Sequence, residues 1–292
     1  MNQPKTIINE VPDAQAFLDS TAQLREADPI GTNLMGSIAV ASMANKTPMR
    51  FWVLSIPVTS FALASTRGIC LSPSMTSDEA TALGHVIAQS IDTPESQVTG
   101  PRNAVDALCA VLCTTFPNAT ATLKHALVVY ALDELRLPAH VPGRLRQADC
   151  GLDDELLTKW IHDFMVAVGE PVGDIATLVA RNVQRGGLYL WEVDGVAVGH
   201  ASFAAPVNMR GGDVIYKIGL VYTPPHERRK GYASAVTAAL CQVLLDHHSA
   251  NESKCHIMLN ADAANPASNK AYQNIGFIQQ GDSCSFALHF GR

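Results

Sequence analysis

A cluster of three basic residues lies in the segment HERRKGYASA, residues 226–235 of the 292-residue chain. Arg228, Arg229 and Lys230 stand directly before Gly231, between a strand-like run and a helix-like run. A helix that begins right after a strand offers free backbone N–H groups and the positive end of its dipole. Both bind anions without a metal. The segment therefore predicts a phosphate-binding loop.

The sequence around this loop differs from other phosphate-binding motifs. It contains neither the G-x-x-x-x-G-K-[ST] pattern of P-loop proteins nor a G-x-G-x-x-G dinucleotide fingerprint. A nucleic-acid-binding surface would need further basic residues around this cluster, but the chain as a whole has a net charge of −6. Gly231 lets the backbone approach a bulky ligand, and Ala233 and Ser234 keep the first helical turn narrow. We therefore expect the loop to hold one bound cofactor.

A second group of polar residues follows one helix and one strand later, in NPASNKAYQNIGF. The amide of Asn265 can bond an amide-bearing ligand. The phenol of Tyr272 can protonate a leaving thiolate. An isolated helical tyrosine is more often a packing residue, but its spacing after the loop favours a functional role.

Together the two motifs resemble those of the GNAT acetyltransferase superfamily. The pattern [QR]-x-x-G-x-[GA] is met by Arg228, Gly231 and Ala233. The pattern N-x-x-S-x-x-x-Y-x-x-x-G-F begins at Asn265 and reaches Tyr272 and the Gly276–Phe277 pair. The resemblance is close over residues 142–292 and loose over the first half.

The resemblance implies direct transfer of an acetyl group from acetyl-CoA to an amine, without a metal or a covalent enzyme intermediate. Two central strands would splay to admit the CoA arm, and Tyr272 would be the catalytic acid. The implied cofactor-binding residues are Leu220, Val221, Tyr222, Arg228, Arg229, Lys230, Gly231, Tyr232, Ala233, Ser234, Asn265 and Ser268.

The order of predicted elements favours an α/β (α+β) fold with two GNAT-like domains, each a mixed, mostly antiparallel twisted sheet flanked by helices. The second half reads as strand, two helices, three strands, helix, strand, helix and two strands, and the first half as a blurred version of that order. In the second half, Asp194–Gly195 predicts a hairpin between the first two of the three strands, and FIQQ and CSFALHF are the two closing strands. We place the boundary near residue 141, in LPAHVPGRL. Residues 1–141 are expected to be structural and to form one wall of the acceptor pocket. Residues 142–292 are expected to be catalytic.

The first half carries a degenerate counterpart of the loop, CLSPSMTSDEATAL, without the Arg-x-x-Gly pattern. Asp78 and Glu79 stand at the start of the following helix, where two carboxylates would repel a pyrophosphate. We therefore predict no CoA site in the first domain.

Composition restricts the remaining functions. The seven cysteines include no CxxC pair and no zinc set. The N-terminal residues lack a signal peptide's apolar core, and no stretch offers the roughly 20 apolar residues of a membrane span. We therefore expect a cytoplasmic monomer or homodimer whose partner is a small-molecule acceptor amine, with no nucleic acid and no membrane.

Several points stay open at the level of sequence. The acceptor could be a small amine or an amino-acid-like metabolite, the acyl donor could be longer than acetyl, and the fold could be a non-catalytic acyl-CoA sensor. The general base is not identified either. Glu192, His200 and Asp213 lie on or beside the central strands, but each is more typical of a structural or solvated side chain.

Overall fold

A computed structural model describes residues 6–65, 68–89, 95–209, 211–248 and 253–290. The chain divides into two compact units. The first contains Met1–Val129, Asp262–Ala264 and Gln280–Arg292, and the second contains Tyr130–Ala261 and Asn265–Gln279. The predicted boundary near residue 141 thus lies inside the second unit. The end of the chain, which we had expected in the second domain, is grouped with the first unit because its last strand pairs there.

The first unit follows one order of elements. These are β1 (Ile8–Val11), α1 (Ala14–Ser20), α2 (Ala22–Ala27), α3 (Asn33–Asn45), β2 (Arg50–Leu54), β3 (Ser60–Ser65), β4 (Gly68–Leu71), α4 (Ser77–Ala88), β5 (Glu95–Gly100), α5 (Arg102–Thr115) and β6 (Ala119–Leu132), whose last three residues belong to the second unit.

The second unit repeats this order. Its elements are β7 (Arg144–Gln147), α6 (Asp154–Ala167), α7 (Ile175–Gln184), β8 (Leu188–Val193), β9 (Val196–Phe203), β10 (Val207–Asn208), β11 (Val214–Tyr222), a 3₁₀ turn (Pro225–Glu227), α8 (Tyr232–His248), β12 (Cys255–Asp262), α9 (Pro266–Asn274) and the start of β13 (Phe277–Phe290), which belongs to the first unit from Gln280 onward. In both halves three main strands precede a helix, a strand, a helix and a last strand. This is the order that an internal repeat requires.

Each unit contains a mostly antiparallel sheet, as predicted. In the first unit β1–β2, β2–β3, β3–β4 and β5–β13 pair antiparallel, and only β4–β5 is recorded as parallel. In the second unit β7–β8, β8–β9 and β9–β11 pair antiparallel, while β11–β12 is parallel. In each unit the parallel pair consists of the strands that precede and follow the same helix, which is α4 in the first unit and α8 in the second.

Strands of the first unit bury both of their faces. Phe51 and Val53 of β2 pack in a cluster with Phe17 and Met35, on the side of α1 and α3. The alternate residue Trp52 lies in a second cluster, on the side of α4 and α5. Since successive strand side chains point to opposite faces, these strands read as continuous apolar runs.

Some elements differ from the prediction. The segments FIQQ and CSFALHF, predicted as two strands, form the single strand β13, because the polar residues between them contain no proline to interrupt it. Helix α3 was not predicted, since its small and apolar residues show no polar face, although Met35 and Ala39 are buried one turn apart. The predicted hairpin at Asp194–Gly195 is confirmed, with φ of 51° and 80°.

No helix within the described residues is both long enough and apolar enough to cross a bilayer.

A buried ion network ties β7, β8 and the start of α6 together. Arg146 donates two hydrogen bonds to the Asp153 carboxylate, at 2.7 and 2.9 Å, and one to Glu192 at 2.6 Å. The backbone N–H of Asp149 donates a further bond to Asp153 at 2.7 Å. These bonds hold the pKa of Asp153 below its ordinary value of 3.8. The network therefore stabilises the folded state only while Asp153 is ionised.

Replacing Asp153 with Asn should lower the free energy of unfolding by about 1.5–3 kcal/mol at pH 7, because Arg146 loses a charged partner in a buried setting. The folded-state pKa is lowered, so the contribution is complete above about pH 4 and is lost as the pH falls further. Urea denaturation at several pH values measures the difference. The matched control is Asp163→Asn, which removes an exposed partner of Lys159 and should change stability little. Equal losses in both variants would contradict this interpretation.

Candidate active site

A cavity of about 600 Å³ opens in the second unit at the start of helix α8. The residues that line it come from the end of α6, the end of β11, the loop before α8, the first turn of α8 and the start of α9. They are Phe164, Ala167, Val168, Val221, Tyr222, Thr223, Glu227, Arg228, Arg229, Gly231, Tyr232, Ala233, Ser234, Asn265, Ala267, Ser268 and Ala271.

The two parallel strands beside this cavity part from each other. Hydrogen-bonded pairing joins residues 214–218 of β11 to residues 255–259 of β12 and ends there, within the described residues 211–248 and 253–290. Beyond that point β11 continues to Tyr222 alongside β9 only. The splay that the family resemblance implied is therefore present, and it frees one edge of the end of β11.

A β-bulge lies at the same place on β11. The register with β9 shifts between Gly219 and Tyr222, and Leu220 has a φ of 47° in the left-handed region. Such a bulge bends a strand and re-aims its backbone groups. Leu220 itself packs beside the core of α6 and α7 and does not line the cavity. Of the three predicted strand residues, Val221 and Tyr222 line the cavity.

The loop between β11 and α8 is held by its own basic residues. The Arg228 guanidinium donates a hydrogen bond to the Thr223 carbonyl at 3.0 Å and lies 6.0 Å from the centre of the Tyr222 ring. Lys230 pairs with Glu227 at 2.8 Å and is not among the lining residues. Arg229 lines the cavity, and no described residue pairs with its side chain. Arg229 is thus the cation of the cluster that is free to meet a ligand.

The backbone of this loop also favours an anion. Arg229 and Gly231 have φ of 66° and 86°, in the left-handed region that concave N–H nests use. The carbonyl of Gly231 accepts from Ala235, one turn into α8. Among the described residues no partner is recorded for the N–H groups of Tyr232, Ala233 or Ser234. These unpaired N–H groups therefore belong to residues that line the cavity.

Helix α9 presents a polar face beside the same opening. Asn265 caps the helix by accepting from the Ser268 N–H at 3.1 Å, and both residues line the cavity. Tyr272 lies four residues after Ser268, on the same helical face and deeper in the unit. It is 9% exposed and is not a lining residue, although Ala271 beside it is. Burial raises the pKa of the Tyr272 phenol to about 12.

Ten of the thirteen predicted site residues therefore meet around one cavity, whereas Leu220, Lys230 and Tyr272 do not line it. Their individual roles stay predictions. The sequence analysis did not identify the apolar wall formed by Phe164, Ala167 and Val168 of α6 and the turn that follows it. The apolar periodicity of α6 was visible, but the periodicity cannot show that its last turn faces a cavity rather than the core.

None of the three polar candidates for a general base is both unpaired and accessible, since Glu192 and Asp213 are bonded and His200 is fully buried. Glu192 is bonded to Arg146 at 2.6 Å. Asp213 accepts from the Lys254 N–H at 2.8 Å and lies 3.4 Å from His256. Burial lowers the pKa of His200 to about 3, which leaves its ring uncharged and weakly basic at neutral pH.

No cluster of three or more His, Cys, Asp or Glu side chains suited to a metal occurs among the residues described. The cavity instead offers backbone N–H groups, hydroxyls, one amide and one unpaired guanidinium. These groups suit a large ligand that carries phosphates at one end and amides along its length.

Residues 155–277 match the model of the Acetyltransferase (GNAT) family. Residues 155–277 therefore form a GNAT acetyltransferase domain. The match covers both motifs and the cavity, and it ends at Phe277, the last residue of the second motif. No curated protein matches the sequence significantly.

Solved structures extend the likeness to the whole chain. A GCN5-related N-acetyltransferase from Sphaerobacter thermophilus has a TM-score of 0.59 at 12% identity, covering 100% of this chain and 98% of its own. A tandem GNAT protein from the clavulanic acid biosynthesis pathway has a TM-score of 0.57 at 15% identity, covering 98% and 99%. A GNAT-family acetyltransferase from Colwellia psychrerythraea has a TM-score of 0.55 at 16% identity, covering 98% and 100%. At these identities the likeness concerns the fold, which is that of GNAT proteins, some of them tandem.

A matched pair of glycine substitutions tests the loop. Gly231→Glu places a carboxylate where backbone N–H groups face the cavity, and we expect the affinity for CoA to fall at least about tenfold. Gly195→Glu is the control, because Gly195 has a similar φ of 80°, has no neighbouring atom within 4 Å of an added Cβ and lies in the β8–β9 hairpin. Both variants carry the same charge change and similar backbone strain. Equal affinities for CoA, measured by isothermal titration calorimetry, would overturn the assignment of the loop.

Proposed function

We propose that this protein is an acetyl-CoA-dependent N-acetyltransferase that acts on a small amine or amino-acid-like acceptor by direct transfer. One observation carries the proposal: the parted end of β11, the N-terminus of α8 and the capped start of α9 border a single cavity. The GNAT domain supports acetyl transfer in general, and the groups that line the cavity support CoA as the carrier of the acetyl group.

The residues around the cavity suit the successive parts of CoA. Arg229, Gly231 and the first turn of α8 would hold the pyrophosphate through N–H groups and one free cation. The free edge of β11 at Val221 and Tyr222 would bond the pantetheine amides in the manner of an added strand. The side-chain amide of Asn265 would reach the same arm.

The chain's own groups can lower the barrier to acyl transfer in two ways. Backbone N–H groups at the bulge would polarise the thioester carbonyl, since fixed donors stabilise a developing oxyanion. Holding both reactants in one cavity removes much of the entropic cost of their encounter.

Tyr272 would donate a hydrogen bond, and finally a proton, to the leaving sulfur. Its raised pKa keeps the phenol protonated at all physiological pH values. The raised pKa makes the phenol a weaker acid than a thiol, so full proton transfer to the leaving thiolate is uphill. The hydrogen bond in the transition state should therefore matter more than early proton transfer.

Proton loss from the acceptor amine would use water. Glu227 is the one carboxylate among the lining residues described, and its Oε2 is engaged by Lys230 at 2.8 Å in the phosphate loop. Such a carboxylate is badly placed to act as a base at the thioester end. We propose that the amine enters neutral or loses its proton to solvent.

A donor with a longer acyl chain is the second candidate, and the apolar wall of Phe164, Ala167 and Val168 favours it. Comparing acetyl-CoA with longer acyl-CoA esters in the same assay separates the two donors.

The test of the proposed function is release of free thiol from acetyl-CoA in the presence of a panel of amines. We expect Tyr272→Phe to lower kcat by about 100-fold or more, as loss of a general acid does, while CoA binding is retained. The wild-type rate should not fall between pH 7 and about pH 10 through ionisation of Tyr272, because its pKa of about 12 keeps it in the acid form. Tight CoA binding without thiol release for any amine would favour a non-catalytic sensor.

A further inference from the structure

Tyr130 contacts α9 from outside the cavity. It is 2% exposed and lies near the end of β6, in the second unit. Its hydroxyl donates to Asn269 Oδ1 at 3.1 Å and accepts from Gln273 Nε2 at 3.2 Å. Asn269 and Gln273 are one helical turn apart on α9. A single buried hydroxyl thus bridges two successive turns of the helix.

The bridge continues to the cavity through Asn269. The Asn269 Nδ2 group donates to the carbonyl of Asn265 at 2.7 Å, and the Asn269 N–H donates to the same carbonyl at 3.2 Å. Asn265 is the cap of α9 and lines the cavity. A continuous hydrogen-bonded chain therefore runs from Tyr130 to Asn265.

The same segment of chain also holds the other end of α9. The N–H of Asp133 donates to the carbonyl of Gly276 at 3.1 Å, and the N–H of Arg136 donates to the carbonyl of Ile275 at 3.0 Å. A Cβ added to Gly276 would lie 1.8 Å from the Glu134 carbonyl oxygen, so the two backbones touch. Residues 130–136 therefore fix α9 along its length.

We infer that Tyr130 is a positioning residue, whose hydroxyl holds the cavity-facing start of α9, including Asn265 and Ser268, in the geometry that binds the pantetheine arm. A phenylalanine would fill the same space, so packing alone does not explain the hydroxyl. Tyr130 contributes no lining atom and acts through Asn269. This inference rests on the proposed function for its ligand, but the placement of α9 can be measured without one.

The test compares Tyr130→Phe with Tyr216→Phe. Tyr216 is the matched control, because it is also a buried tyrosine of the second unit and its hydroxyl bonds His248 at 2.7 Å, away from α9. We expect Tyr130→Phe to weaken CoA binding about three- to tenfold and Tyr216→Phe to leave it unchanged. Asn269→Ala should have a similar effect, and the double variant should add little to either single one.

Amide hydrogen exchange of the ligand-free protein provides the second readout. Amides of residues 268–272 should exchange faster in Tyr130→Phe, with those of α8 unchanged. If wild-type protein does not bind CoA but this exchange pattern is seen, the proposed function fails and the positioning role stands. Unchanged exchange in α9, or equal losses of CoA affinity in both tyrosine variants, would overturn the inference.

Discussion

The cavity depends on the hydrogen-bond requirement of one stretch of backbone. Inside a sheet each N–H and C=O group needs a partner, and β11 loses its neighbour β12 after Ile218. The bulge at Leu220 and the continued pairing with β9 hold the freed end of β11 in place. An edge of this kind is satisfied by water or by a ligand that carries amides. The phosphate loop and α9 border the opening that this parting creates.

The first unit shows how the same order of elements can lack such a site. Its helix α4 follows β4 as α8 follows β11, but Thr76 and Glu79 form a capping box. The Glu79 carboxylate accepts from the Thr76 N–H at 2.9 Å and from the Thr59 hydroxyl at 2.6 Å. A buried carboxylate thus occupies the positive end of α4. This supports the proposal that CoA binds in the second unit alone, and it gives a physical meaning to Glu79 in the degenerate loop.

The sequence predicted those parts of the fold and site that local chemistry determines. The Asp-Gly hairpin, the strand-to-helix loop with Gly231 and the short helix that carries Tyr272 each follow from residues close together in the chain. The bridge at Tyr130 could not be predicted, because Asn269 lies 139 residues away. The pairing of Lys230 with Glu227 and the bond from Arg228 to the Thr223 carbonyl depend on side-chain rotamers, and together they leave Arg229 as the one free cation of the triplet. The assignment of β13 to the first unit depends on pairing between distant segments.

Calorimetric titration of the wild-type chain with CoA is the most direct measurement of the central claim. The claim is that the point where β11 and β12 separate, together with the N-terminus of α8, forms a single CoA-binding site. The account predicts saturable binding with one CoA per chain and a stability that rises with ligand concentration. Two CoA molecules per chain would contradict the distinction between the units, and no saturable binding would contradict the assignment of the cavity.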